Sequence, residues 1–129
     1  PPFELLNFTT TVARHGDHGL ETEATVKLRV DGEVLHTAAE GNGPVNALDN
    51  ALRKALTPVY PRLAEFHLAD YKVRILDSDK GTAATTRVLI DTQNSHQRWS
   101  TVGAGTNLID ASWRALVESV EYGLSLAKE

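Results

Sequence analysis

The sequence contains no cysteine and no methionine. Without cysteine there are no disulfides, no thiolate metal sites and no cysteine nucleophile. The missing methionine, in a chain that opens Pro-Pro, gives the expectation of a processed product or a segment of something longer. Aromatic residues are only 6% of the chain. No apolar run approaches the roughly 18 residues of a transmembrane helix, and the N-terminus lacks a signal-peptide pattern. A cytoplasmic location with no membrane partner is therefore expected. Positive charge is also in short supply, 13 Lys and Arg against 17 Asp and Glu, for a formal net charge of −4. That balance argues against a nucleic-acid partner. What remains is 129 residues, enough for one domain with a real core but not two.

Hydrophobic period organises the chain. ETEATVKLRV, residues 21–30, alternates strictly: Thr22, Ala24, Val26, Leu28 and Val30 face one way, and Glu21, Glu23, Thr25, Lys27 and Arg29 the other. This predicts a half-buried antiparallel strand. FELLNFTTTVARHG before it predicts a first strand with Gly16–Gly19 as the hairpin connection, and Asp31-Gly32 after it predicts a tight hairpin into VLHTAAE. A helix is predicted from Pro44 to about Leu56, because proline suits the first helical position and Val45, Leu48, Leu52, Ala55 and Leu56 share a face. Pro58 and Pro61 close it.

The same plan follows again. HLADYKVRILD reads as a strand with Tyr71, Val73 and Ile75 on one face, then an SDKG turn. TAATTRVLID carries Thr86, Val88 and Ile90 inward with Arg87 and Asp91 outward, TQNSH turns, and QRWSTVG is a third strand. Asn107 should cap a second helix with Asp110 as a short capping-box acid, and Ile109, Trp113, Leu116, Val117, Val120 and Leu124 form its apolar stripe. The glycine pairs Gly41/Gly43 and Gly103/Gly105 lie 62 residues apart, while Ala51-Leu52 and Ala115-Leu116 lie 64 apart. The expected architecture is α+β: one domain over residues 1–129, made of two βββα repeats, about 3–57 and about 64–127, related by a pseudo-twofold.

Candidate chemistries are sparse. HGDH, residues 15–18, offers two imidazoles and a carboxylate, but in a predicted hairpin loop with no fourth ligand nearby, so a solvated turn is expected and no metal site. His36, His67 and His96 are scattered singly, and the serines lie in turns, strand faces or helix surfaces, so no catalytic residues are predicted. EGNGPVNALDNAL, residues 40–52, is the most suggestive stretch. A phosphate loop would place lysine and Ser/Thr after its last glycine, whereas Pro44 and Val45 follow Gly43 here. The further glycine and acid of a dinucleotide fingerprint are absent too. What remains is a helix N-terminus that could take one carboxylate beside an apolar side chain, as an α-amino or α-keto acid with a hydrocarbon tail would supply, or else a tight turn with no ligand.

GNGPVNAL, LADYKVRILD, GTAATTRVLID and RWSTVGAGTNLIDASWRALVESVEYGL together resemble, in order and over nearly the whole chain, the C-terminal regulatory domain of the isopropylmalate synthase and citramalate synthase family. DYKVRILD, GTAA…RVLI and ASWRALVESVEYGL are more similar to the citramalate branch, with its isoleucine feedback, than to the leucine-sensing branch. The resemblance implies two βββα units, dimerised across a twofold, and a branched-chain amino acid (isoleucine or leucine) bound between units near the interface. Apolar surface left over after each unit packs predicts that the helices and the Tyr71 strand supply the homodimer interface. The resemblance places Val45 and Asn46, Leu68, Asp70, Tyr71 and Ile75, Thr106 and Leu108, with Ala83 as a further wall position, at the effector. Gly41, Gly43 and Pro44 then shape a carboxylate cradle, and Val45, Leu68, Tyr71 and Ile75 take the alkyl tail. Asn46 stands where the citramalate branch often has aspartate, so Asp70 or backbone carbonyls would meet the ammonium; Thr106 stands where proline is common. The family's catalytic barrel, an acyltransferase joining acetyl-CoA to pyruvate or 2-ketoisovalerate at a divalent metal, precedes this domain and is absent from these residues. The expectation is a sensor with neither catalytic site nor cofactor of its own. A ligand-free dimerisation module and an enzyme active in this segment are the competing classes.

Overall fold

The computed structural model describes residues 3–14, 20–76 and 85–126. The HGDH cluster, the Gly16–Gly19 connection, the SDKG turn and Ala83 lie outside them. The chain divides into two compact units, Pro1–Pro61 and Arg62–Glu129. Each holds a three-stranded antiparallel sheet in sequence order followed by a helix.

In the first unit the strands are β1 (Glu4–Arg14), β2 (Leu20–Val30) and β3 (Glu33–Gly41), and the helix is α1 (Pro44–Leu56). Thr22, Ala24, Val26, Leu28 and Val30 are all buried, as the alternation requires. The Asp31-Gly32 turn has φ of 50° and 83°, the paired left-handed conformation of a two-residue hairpin. α1 buries Leu48, Leu52 and Leu56 completely. Each contributes about 1.5–3 kcal/mol of transfer free energy. The helix stops after Leu56 because Pro58 has no N–H to continue the ladder, whose last bond runs from Thr57 N–H to Arg53 O (2.8 Å).

In the second unit, a 3-10 turn (Pro61–Glu65) leads to β4 (His67–Leu76), β5 (Thr85–Gln93), β6 (Arg98–Gly105) and α2 (Leu108–Leu126). Val88 and Ile90 are fully buried beneath α2 together with Leu116 and Val120. Trp99 meets Phe66 edge-on and Tyr122 at a tilt, with ring centroids 5.5 Å apart in both pairs. Trp99 Nε1–H donates to Ser119 O (3.2 Å), and the Thr92 and Ser119 hydroxyls bond to each other in the core. None of the described helices is long and apolar enough to cross a membrane.

Strand register fixes the repeat more finely than glycine spacing does. Thr22 pairs with Gly41 and Thr86 with Gly105, so Gly41 corresponds to Gly105, at a spacing of 64. The 62-residue match of the glycine pairs is thus corrected. Gly103 corresponds to Ala39 inside the third strand, where an added Cβ would run into Ala111 O and approach Ala115 N to 2.9 Å. The same 64-residue offset relates two hydrogen bonds that pin each helix to its third strand. Thr37 Oγ1 donates to Ala51 O and Thr101 Oγ1 to Ala115 O, both at 2.8 Å.

Candidate functional site

The sequence-predicted residues fall into two groups. Gly41, Gly43, Pro44, Val45 and Asn46 belong to the first unit, and Leu68, Asp70, Tyr71, Ile75, Thr106 and Leu108 to the second.

The first group forms the N-terminus of α1. Gly43 is the N-cap with an extended backbone and offers no capping side chain, and Pro44 has no N–H to give. The first intrahelical bond runs from Ala47 N–H to Gly43 O (2.9 Å). The amides of Val45 and Asn46 therefore have no intrahelical acceptor and point out along the positive end of the helix dipole. The Val45 side chain is only 3% exposed, so its place is in the core and only its amide is on offer. Asn46 Oδ1 is occupied in holding the turn, accepting Asn42 N–H at 3.0 Å and lying 3.5 Å from Asn50 Nδ2. Beside it lies an open hollow of about 500 Å³ lined by Glu21, Glu40, Gly41, Asn42, Asn46 and Asn50. The two glutamates were not singled out from sequence. They bring negative charge to the flank of the uncapped helix start.

The second group centres on β4. A β-bulge between Leu68 and Asp70 inserts Ala69, after which Tyr71 pairs with Ile90, Val73 with Val88 and Ile75 with Thr86. The bulge places Leu68, Tyr71, Val73 and Ile75 on one face, the face that packs under α2 further along the sheet. Yet α2 lies over β5 and β6 and leaves β4 uncovered. Tyr71 is 46%, Val73 42% and Ile75 66% exposed, which makes an open apolar strip. Val73 was not among the expected site residues, and strict alternation from Tyr71 would have included it. Ile75, Thr86 and Gly105 form one row across the sheet, so Thr106 and the exposed Leu108 follow at the Ile75 end of the strip. Asp70 is not brought to this strip. It pairs with Asp91 on the opposite face, so it cannot serve an ammonium held against Tyr71 of the same strand.

The matching feature in each unit is altered. At α2 the helix start is closed: Asn107 Oδ1 accepts the amides of Ile109 (2.8 Å) and Asp110 (3.1 Å), and Asp110 adds negative charge to the first turn. Asp110 does not complete a capping box but pairs with Arg114 Nε (2.9 Å). On β1, the counterpart of the strip is Leu5, Phe8, Thr10 and Val12, spaced by the same bulge but with only Val12 exposed. One unit keeps a helix start without a capping side chain, the other an open apolar strip.

Two carboxylates have perturbed titration. Burial pushes Asp49 above the usual carboxylate range, against the opposing pull of its Arg53 partner 3.0 Å away. Asp91 is held below that range by hydrogen bonds from Ser100 Oγ (2.5 Å) and Arg98 Nη2 (2.8 Å). Neither lies among the residues above, and the described residues include no group of three His, Cys, Asp or Glu able to hold a metal ion.

Residues 1–124 match the family described as the LeuA allosteric (dimerisation) domain. The chain is 56% identical over 116 residues to an (R)-citramalate synthase of Geobacter sulfurreducens, covering 90% of this chain and 22% of that protein. It is 59% identical over 103 residues to an (R)-citramalate synthase of Synechocystis, covering 80% and 19%. A 2-isopropylmalate synthase of Shewanella woodyi is 36% identical over 94 residues, covering 73% and 16%. The chain thus spans about a fifth of the length of these relatives. With the twice-repeated βββα plan matched along nearly its whole length, this chain belongs to the LeuA allosteric (dimerisation) domain family.

Proposed function

We propose that the chain is the dimerising, effector-sensing part of a citramalate synthase and that its effector is a branched-chain α-amino acid, isoleucine by preference. The observation that carries this is the division of open features between the repeats. α1 has an uncapped start while Asn107 closes α2, and β4 has a bare apolar strip while β1 exposes only Val12 of its counterpart. Each feature suits one part of an amino acid. The uncapped start of α1, flanked by Glu21 and Glu40, suits a carboxylate with its neighbouring ammonium. The strip of Leu68, Tyr71, Val73 and Ile75 suits an alkyl tail.

The parent would condense acetyl-CoA with pyruvate. On this reading the chemistry and its divalent metal belong to the remainder of the parent protein. Effector binding changes the parent's activity only through different affinity for two arrangements of the assembly. Isoleucine and leucine are isomers with nearly equal apolar area, so discrimination rests on shape. A misplaced methyl is worth about 1–3 kcal/mol, roughly 10- to 200-fold. Calorimetric titration with isoleucine, leucine and valine tests the proposal. Tightest binding of isoleucine is expected. Equal or tighter binding of leucine would move the chain to the leucine-sensing branch, and binding of none would leave a ligand-free dimerisation module.

A further inference from the structure

The two sheets treat their outer edges differently. In β3 the even-numbered residues turn their backbone groups away from β2, as the two-residue hairpin closing at Val30 and Glu33 dictates. Two of those edge carbonyls are sealed from α1: Lys54 Nζ donates to Ala38 O (3.1 Å) and Asn50 Nδ2 to Glu40 O (2.9 Å). A sealed edge carrying lysine resists pairing with another strand.

The 64-residue correspondence puts Glu118 in place of Lys54, Arg114 in place of Asn50, and Val102 and Ala104 in place of Ala38 and Glu40. A carboxylate cannot donate to a carbonyl, and Arg114 is turned to Asp110. Among the described residues no side chain bonds to the backbone of Ser100, Val102 or Ala104 along this edge. The strand there is free of proline, and Ser100, Val102 and Ala104 are small or apolar. Above it, two adjoining hollows of about 460 and 480 Å³ share Glu118 and are lined by Val102, Trp113, Val117, Trp99 and Tyr122. Val102 and Tyr122 are 43% and 44% exposed.

We infer that the β6 edge, with the groove along α2, is where a second copy of this chain docks, by antiparallel pairing of β6 with β6 about a twofold axis. The inference builds on the dimerising role proposed above and gives it a surface. An antiparallel edge pair needs only the same strand twice, so it is self-complementary and closed. The axis also reverses α2, which brings Arg114 of one copy towards Glu118 of the other, opposite charges along the rim of the groove. The sealed β3 edge prevents the same contact from forming at the wrong place and growing into an open chain of copies.

The test is sedimentation equilibrium on the 129-residue chain and two variants, with circular dichroism confirming the fold. Glu118→Lys transplants the seal of the first unit, and Val102→Pro removes an edge N–H that has no partner within the sheet. Both should raise the dimer dissociation constant about tenfold or more, while Lys54→Glu should not weaken the dimer. Hydrogen exchange gives a second readout. The Val102 and Ala104 amides should become protected as concentration rises, and those of Ala38 and Glu40 should not. A wild-type dimer that survives both changes, with Val102 and Ala104 exchanging freely, overturns the β6 surface but not dimerisation. A wild-type chain that stays monomeric at tens of micromolar, where a Kd of about 1 µM would leave mostly dimer, overturns the dimerising role itself.

Discussion

Gly41 and Gly43 flank the same asparagine, but the structure assigns them opposite sensitivities. A Cβ on Gly41 would lie 2.5 Å from Ala47 N, 2.8 Å from Ala47 Cα and 2.6 Å from Asn46 Oδ1. Ordinary contact begins at 3.4 Å, so the first turn of α1 must retreat from β3 by 0.9 Å. The neighbour is helix backbone, which cannot rotate aside. Such overpacking costs about 1–3 kcal/mol of stability. The retreat also carries the Val45 and Asn46 amides away from a bound carboxylate. A hydrogen bond to a charged group is worth about 1.5–3 kcal/mol, so loss of one weakens effector binding by roughly 10- to 150-fold. A Cβ on Gly43 would meet nothing within 4 Å, and the extended backbone there (φ −171°) is one that alanine accepts. Gly43→Ala should therefore stay within about 0.5 kcal/mol of the parent stability. Urea unfolding and calorimetric titration with isoleucine on both variants form the assay. Binding within twofold of wild type in Gly41→Ala, or loss of binding in Gly43→Ala alone, would refute the cradle.

Tyr71→Ala should leave stability nearly unchanged, because the ring is 46% exposed, yet abolish binding of both isoleucine and leucine in the same titration. Ile75→Ala and Leu68→Ala should weaken isoleucine and narrow its advantage over leucine. Thr37→Val and Thr101→Val each remove the hydroxyl that ties a helix carbonyl to its third strand, and each should cost about 0.5–1.5 kcal/mol in urea unfolding. The raised pKa of Asp49 and the lowered pKa of Asp91 predict opposite pH slopes. Asp91 supports the fold above the ordinary carboxylate range, and that support is lost as pH falls through its depressed value. The Asp49 contribution is greatest below the ordinary range and declines as pH rises to its elevated value. Stability of Asp49→Asn minus wild type should thus grow with pH across that window, while wild type minus Asp91→Asn should shrink as pH falls.

Local patterning carried most of the fold. Thr22 to Val30 could be assigned because period-2 alternation on a half-buried strand admits one set of faces, and α1 could be bounded because Pro44 and Pro58 each forbid continuation in one direction. The second helix was marked by Asn107, whose amide oxygen has no better use at that place. The bulge at Ala69 was not legible, since nothing in the composition of LADY distinguishes an inserted residue from a paired one. It decides, however, that Leu68 shares a face with Tyr71, whereas Asp70 faces away from Tyr71 by alternation alone. Whether the Tyr71 strip is covered was also hidden: alternation gives the face of a strand, and only the tertiary path of α2 decides whether that face is roofed. Glu21 and Glu40 escaped notice because they come from different strands and meet only through register.

A sheet roofed over two of its three strands has thermodynamic consequences for the second unit. The bare β4 strip leaves part of the driving force for folding to whatever settles there. A molecule that occupies the strip only in the native state adds RT ln(1 + [L]/Kd) to the unfolding free energy, about 2.7 kcal/mol at a hundredfold excess over Kd. For a domain of this size each kcal/mol moves the midpoint by several degrees. Melting temperature would then track the cellular pool of amino acid, and so would survival against proteases that cut opened chains. On the proposed reading, such a protein would report metabolite abundance through its own lifetime as well as through any change of shape.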